Sequence, residues 1–154
     1  MRLLSWAKDG YEELYEEHIN RMLNLWKAKY RKVYKAPLLR LLKRLSCSED
    51  VDNIVKTMII FHDVGKLVPL YQGYLRKERS LRGYRHEVVS AVFTAHTLMK
   101  MPWYRYVSVA ILLHHEPILL GQVGQIGESY FTLTRAYYVV SLCSEDNTVK
   151  LIRD

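Results

Sequence analysis

Residues 59–67 read IIFHDVGKL, an apolar run that ends in a histidine and an aspartate side by side. A buried carboxylate costs several kcal/mol unless it is paired, neutralised or bound to a metal. The meaning of the pair therefore depends on which other side chains converge on it. The run itself belongs to a helix that starts near Asp50 or Asp52 and ends near Gly65, a residue suited to a helix C-terminus.

Around it the chain reads as helical almost throughout, which places it in the all-α class as one domain over 1–154. No strict alternation of apolar and polar residues marks a strand. A first amphipathic helix starts near Asp9 and runs into a basic stretch, with Pro37 as a break or restart. Residues 66–83 form a turn-rich connection containing Pro69, Gly73 and Gly83. Further helices span Tyr84 to Met101, Pro102 to the segment LLHHEP, and a last one from about Tyr130. The glycines at 121, 124 and 127 have no lysine after them and open no βαβ unit, so they make a flexible connection rather than a phosphate loop.

Five of the six histidines lie on inward stripes. His18 continues Leu14, Met22 and Leu25; His62 continues Val55, Met58 and Ile59. His86 heads Val89, Ser90 and Phe93, and Val107, Ala110 and Ile111 lead to His114 with His115 beside it. In the last helix Val139, Leu142 and Cys143 lead to Asp146. Imidazoles and carboxylates thus recur on the buried faces of five helices. His96 lies about 15 Å beyond His86 along the same helix and is structural.

The order of these elements carries a resemblance. HDVGK, preceded by a histidine in YEEHIN and followed by RHEVVSA, LLHHE and a late helical aspartate, resembles the HD superfamily of metal-dependent phosphohydrolases. Within it, the series is similar to the HD nucleases of type I CRISPR interference, over residues 18–146. The resemblance implies a compact helical HD domain with its metal site between helices. One ion would be held by His18, His62, Asp63 and Asp146, and a second by Asp63, His86, His114 and His115. Asp146 is preferred to its neighbour Glu145 because it falls on the stripe; Asp154 is a more remote choice. Asp63 and Lys66 take the catalytic roles, the lysine on phosphate. Ser90 either supports His86 from behind or simply packs.

Seven ligands exceed the need of one catalytic ion, which leaves a coordination position open. Two ions about 3.5–4 Å apart are the recurring solution for phosphodiester cleavage. Histidine-rich ligation favours manganese, iron, cobalt, nickel or zinc over magnesium alone.

The net charge of +7 points to a polyanion. Residues 27–44 hold eight Lys or Arg and no acid, interleaved with Tyr30 and Tyr34, and residues 76–85 hold five bases against one acid. Lys27, Lys29, Arg31, Lys32, Lys35, Arg82 and Arg85 are the expected phosphate contacts. Single-stranded DNA as the substrate follows from the resemblance. With no Walker A loop in the chain, the resemblance also implies a separate helicase subunit and an RNA-guided surveillance complex. A small-molecule HD phosphohydrolase needs neither the second ligand set nor the basic stretch, and a non-catalytic nucleic-acid-binding module needs no ligand series. Cys47 and Cys143 form no CxxC and fill core space. No window reaches the roughly 20 apolar residues of a membrane span, and the start is too short in apolar residues for a signal peptide. A cytoplasmic protein is expected.

Overall fold

Asp9 and Gly10 both take positive φ, 52° and 84°, and two successive residues in that conformation close a β-hairpin. The hairpin pairs β1 (Leu4–Lys8) with β2 (Tyr11–Leu14) in antiparallel register, Trp6 opposite Glu13 and Lys8 opposite Tyr11. It stands where a helix is expected from Asp9. The reason β1 is illegible is a bulge. The register slips between Leu4 and Trp6, so Ser5 is an extra residue and both Leu4 and Ser5 point inward. A bulge of this kind destroys the period of two by which a strand is recognised.

The computed structural model describes residues 2–81 and 84–115. Apart from the hairpin the described chain is helical, as expected. α1 (Tyr15–Leu25) leads through a π-helical turn, Trp26–Tyr30, into α2 (Arg31–Arg44). Pro37 sits inside α2 without ending it. The position is exposed, so solvent can satisfy the carbonyl that loses its partner there. The irregularity falls instead at the π turn, which shifts the inward face from Leu25, 45% exposed, to the buried Trp26.

α3 (Val51–Phe61) begins after Asp50 as the sequence indicates and stops four residues before Gly65. A single 3-10 turn, Val64–Leu67, follows, then α4 (Pro69–Leu75), a short helix inside the segment read as a connection. Pro69 occupies its first position, where the missing N–H costs nothing. α5 (His86–Thr97) and α6 (Tyr104–Leu112) complete the described chain. The last expected helix, with Cys143, lies outside the described residues, as do Arg82 and Gly83.

The core gathers Ile19 and Trp26 from the first helix, Leu42, Cys47, Val51, Ile54 and Ile59 around α3, and Ala91, Trp103, Val107 and Ile111 from the last pair. Val107 and Ile111 are essentially fully buried, which fixes the end of α6 that carries His114 and His115. α2 is tied to α3 through Asp52. Its carboxylate accepts from Trp26 Nε1 at 3.0 Å and from Arg31 Nη2 at 2.8 Å, and pairs with Lys35. Hydrogen bonds from Arg31 and Lys35 hold the Asp52 carboxyl below the usual carboxylate range. Gln72, 1% exposed, joins the hairpin to the 3-10 turn. Its amide donates to Leu4 O at 2.7 Å and to Lys66 O at 2.8 Å, while its oxygen accepts from Leu4 N–H at 2.9 Å. Among the described residues no helix is long and apolar enough to cross a membrane.

Candidate metal centre

His62 is the C-terminal cap of α3, and Asp63 opens the 3-10 turn. That places the aspartate in the middle of the fold with its side chain 3% exposed. α5 starts with His86 against the same turn, α1 brings His18 in its first turns, and α6 ends just before His114 and His115.

The two carboxylate oxygens of Asp63 face different imidazoles. Oδ2 lies 3.3 Å from His62 Nε2 and 3.7 Å from His18 Nε2. Oδ1 lies 3.1 Å from His86 Nε2 and 3.7 Å from His114 Nε2. His115 Nε2 is 3.1 Å from His86 Nε2, and His18 Nε2 is 3.3 Å from His62 Nε2. Two three-residue donor groups result, His18–His62–Asp63 and His86–His114–His115, each with its ligand atoms within 4.8 Å of one another. Lys66 Nζ sits 2.7 Å from Asp63 Oδ2.

The other ring nitrogens fix what these groups can hold. His62 Nδ1 is 2.7 Å from Ile59 O, and His114 Nδ1 is 2.5 Å from Ile111 O. A carbonyl only accepts, so each Nδ1 carries hydrogen, and a neutral ring then points an Nε2 lone pair inward. His18 Nδ1 donates to Glu13 Oε2 at 3.0 Å with the same result. His86 Nδ1 faces Glu87 Oε2 at 3.5 Å, and Glu87 also pairs with Arg85. Such outward partners orient metal-binding imidazoles and raise their basicity. The carboxylate of Asp63 therefore meets converging lone pairs, and both Asp63 Oδ1 and His114 Nε2 are buried with no hydrogen-bond partner among the described residues. A cation held between the groups would satisfy both.

Protonation alone does not. Burial pushes the Asp63 carboxyl up, but where His114, His62 and His86 carry a proton on Nε2 their hydrogen bonds hold it below the usual range. Burial opposes the charge on His114 but Asp63 outweighs it, and the net shift is upward. His115 is shifted down by burial and by the neighbouring His114 and His86. The imidazoles around Oδ1 cannot all be charged together. The donor set fits divalent ions of the transition series. A cavity of about 420 Å³ opens on the centre, with Met22, Met58 and Ala110 among its walls.

Of the sequence-derived ligands, His18, His62, Asp63, His86, His114 and His115 come together; Asp146, with the alternatives Glu145 and Asp154, lies outside the described residues. His96 is exposed in the last turn of α5, away from the centre. Ser90 is fully buried and accepts from Gly65 N–H at 2.9 Å, so it pins the Asp63 turn to α5. The basic residues divide. Lys27, Lys29 and Lys32 are exposed, whereas Arg31 and Lys35 are engaged by Asp52 and Arg85 by Glu87. Lys32 is fourteen residues beyond His18 on a continuous helix, about 21 Å along its axis. Glu13, Glu87 and Gln72 escaped the sequence reading, because each acts through a hydrogen bond between elements whose pairing the sequence does not display. Replacing Glu13 with alanine removes the acceptor that orients His18. Metal affinity is expected to fall by about 10–100-fold, read by titration calorimetry with manganese.

The fold is that of an HD domain, the class the motifs resemble. Within that class the chain is related to the CRISPR-associated Cas3-HD proteins. It is 37% identical over 125 residues to CRISPR-associated endonuclease Cas3-HD of Pyrococcus furiosus, covering 75% of this chain and 52% of that protein. The Methanocaldococcus jannaschii protein of the same name is 35% identical over 125 residues, covering 75% and 50%. The Cas3 HD domain protein of M. jannaschii superimposes with a TM-score of 0.64 at 27% identity, covering 99% of this chain and 84% of that one. The chain spans about half the length of the curated relatives it matches. No family model matches it.

Proposed function

We propose that the chain is a metal-dependent nuclease that hydrolyses single-stranded DNA at a two-metal centre, as part of CRISPR interference. The observation that carries this reading is the division of Asp63, each oxygen turned to its own set of imidazoles. His18, His62, Asp63 and Asp146 would hold one ion; Asp63, His86, His114 and His115 would hold the other. When bound, such a pair supplies Lewis acidity at phosphorus and an activated water. The chain's own groups do the rest. The hydrogen bonds at Nδ1 of His18, His62 and His114 keep those imidazoles aimed. The Lys66 ammonium, on a flexible stem beside Asp63, reaches a phosphate oxygen. Lys27, Lys29 and Lys32 hold the strand by its backbone with little preference for sequence. Strand separation would come from a separate helicase subunit and targeting from an RNA-guided complex, in the cytoplasm, with residues 1–154 acting as one domain.

The test is cleavage of a labelled single-stranded DNA by metal-stripped protein, with manganese, nickel, cobalt or magnesium restored singly. Cutting that depends on the added metal supports the reading. No cutting with any of them, beside turnover of free nucleotides, replaces it with a small-molecule phosphohydrolase.

A further inference from the structure

The hairpin borders a second cleft, of about 530 Å³, which shares His18 and Lys66 with the metal centre and reaches outward past Trp6 and Tyr11. Both aromatic rings are exposed, Trp6 at 46% and Tyr11 at 76%. An exposed tryptophan has lost its chance to bury its ring, yet the hairpin register holds it in a defined place. Trp6 stands opposite Glu13 and Lys8 opposite Tyr11, so Trp6 and Tyr11 are diagonal neighbours on one face, about 7–8 Å apart. A flat ring can enter between them.

Two further observations tie this face to the chemistry. Ser5, the bulge residue, lines the cleft, is 2% exposed, and its hydroxyl has no partner among the described residues. Bulges beside active sites re-aim a side chain in this way. Glu13, across from Trp6, binds His18 Nδ1 and pairs with Arg21 at 2.8 Å. The hairpin and a metal-ligating imidazole are therefore positioned by one carboxylate.

Charge says which part of a ligand belongs here. Glu12 and Glu13 line the cleft with Arg21 and Lys66, and carboxylates repel phosphate but tolerate, and can accept from, the amino edge of a base. We infer that this cleft is a nucleobase subsite: Trp6 stacks the base next to the scissile phosphate, and the Ser5 hydroxyl meets a polar atom of that nucleotide. The inference deepens the nuclease reading and rests on it for the identity of the ligand.

Binding is read without metal, so that it does not depend on cleavage. A labelled oligodeoxycytidylate is titrated into the full chain in chelator, by anisotropy and by intrinsic tryptophan fluorescence. Trp6→Ala is expected to weaken binding about 5–100-fold, the range for loss of one stacked base, while Trp6→Phe stays within about threefold of the parent. The quench on binding should vanish in Trp6→Phe, because Trp26 and Trp103 are buried. Equal affinity of Trp6→Ala and parent overturns the subsite even where the parent cuts DNA. A parent that neither binds nor cuts overturns the nuclease reading and the subsite together.

Discussion

Asp63→Asn is expected to abolish metal-dependent cleavage while leaving the fold intact. Asparagine keeps the shape of the side chain but removes the charge that both ligand sets share. Residues that merely support a ligand cost about 10–100-fold when lost, so loss of the shared ligand itself should exceed a hundredfold. The stability readout separates this from unfolding. In chelator the variant loses the pairing of Asp63 with the Lys66 ammonium and should melt below the parent, so each protein is compared with itself with and without metal. With manganese at about 100 times its dissociation constant, the parent gains about 2.7 kcal/mol. That is a rise of roughly 5–11 °C for a chain of this size, and the variant should show none of it. Salt-sensitive DNA binding should persist, because the exposed Lys27, Lys29 and Lys32 are untouched. A variant that still melts higher with manganese and still cuts would remove Asp63 from the centre of the mechanism.

The sequence made the cluster legible because the histidines recur along apolar stripes, and a polar group that repeats on buried faces has few bland explanations. His62, Asp63, His86, His114 and His115 are all helix-end positions, where a side chain can turn inward without interrupting a hydrogen-bonded ladder. β1 was hidden for a local reason, the bulge at Ser5, and with it the pairing that makes a strand of β2 and places Glu13 beside His18. The basic stretch was legible as charge but not as geometry. Asp52, seventeen residues after Lys35, takes Arg31 and Lys35 out of the set available to DNA, and nothing in the spacing announces that pairing. Gln72 shows the same limit: a buried amide in an apparent loop is a junction only once β1 and the 3-10 turn are known to meet there.

Gly65 was legible as a needed glycine, but for a different cause, and the cause gives the second large effect. The sequence suggests a helix end, where glycine serves by taking positive φ. Among the described residues Gly10 does this, at +84°, whereas Gly65 does not. Gly65 is required for space. A Cβ there would lie 2.3 Å from His86 O, 3.1 Å from His86 C and 3.0 Å from Ser90 Oγ. The nearest atom is backbone in the first turn of α5, so no side chain can step aside. Gly65→Ala must push the turn off α5 and stretch the bond from Gly65 N–H to Ser90 Oγ. Overpacking of this kind costs about 1–3 kcal/mol, a fall in melting temperature of roughly 2–12 °C. The functional loss should be larger than the stability loss. Asp63 rides on the same turn with Oδ1 3.1 Å from His86 Nε2, and a displacement near 1 Å in a catalytic constellation costs about a hundredfold. Cleavage should therefore fall by about that factor at temperatures where the variant is still folded by circular dichroism. Ser90→Ala added to Gly65→Ala should not restore it, because the backbone clash remains. Full activity in Gly65→Ala would mean that the turn can leave α5 without moving the aspartate, and that the close approach is not what aims it.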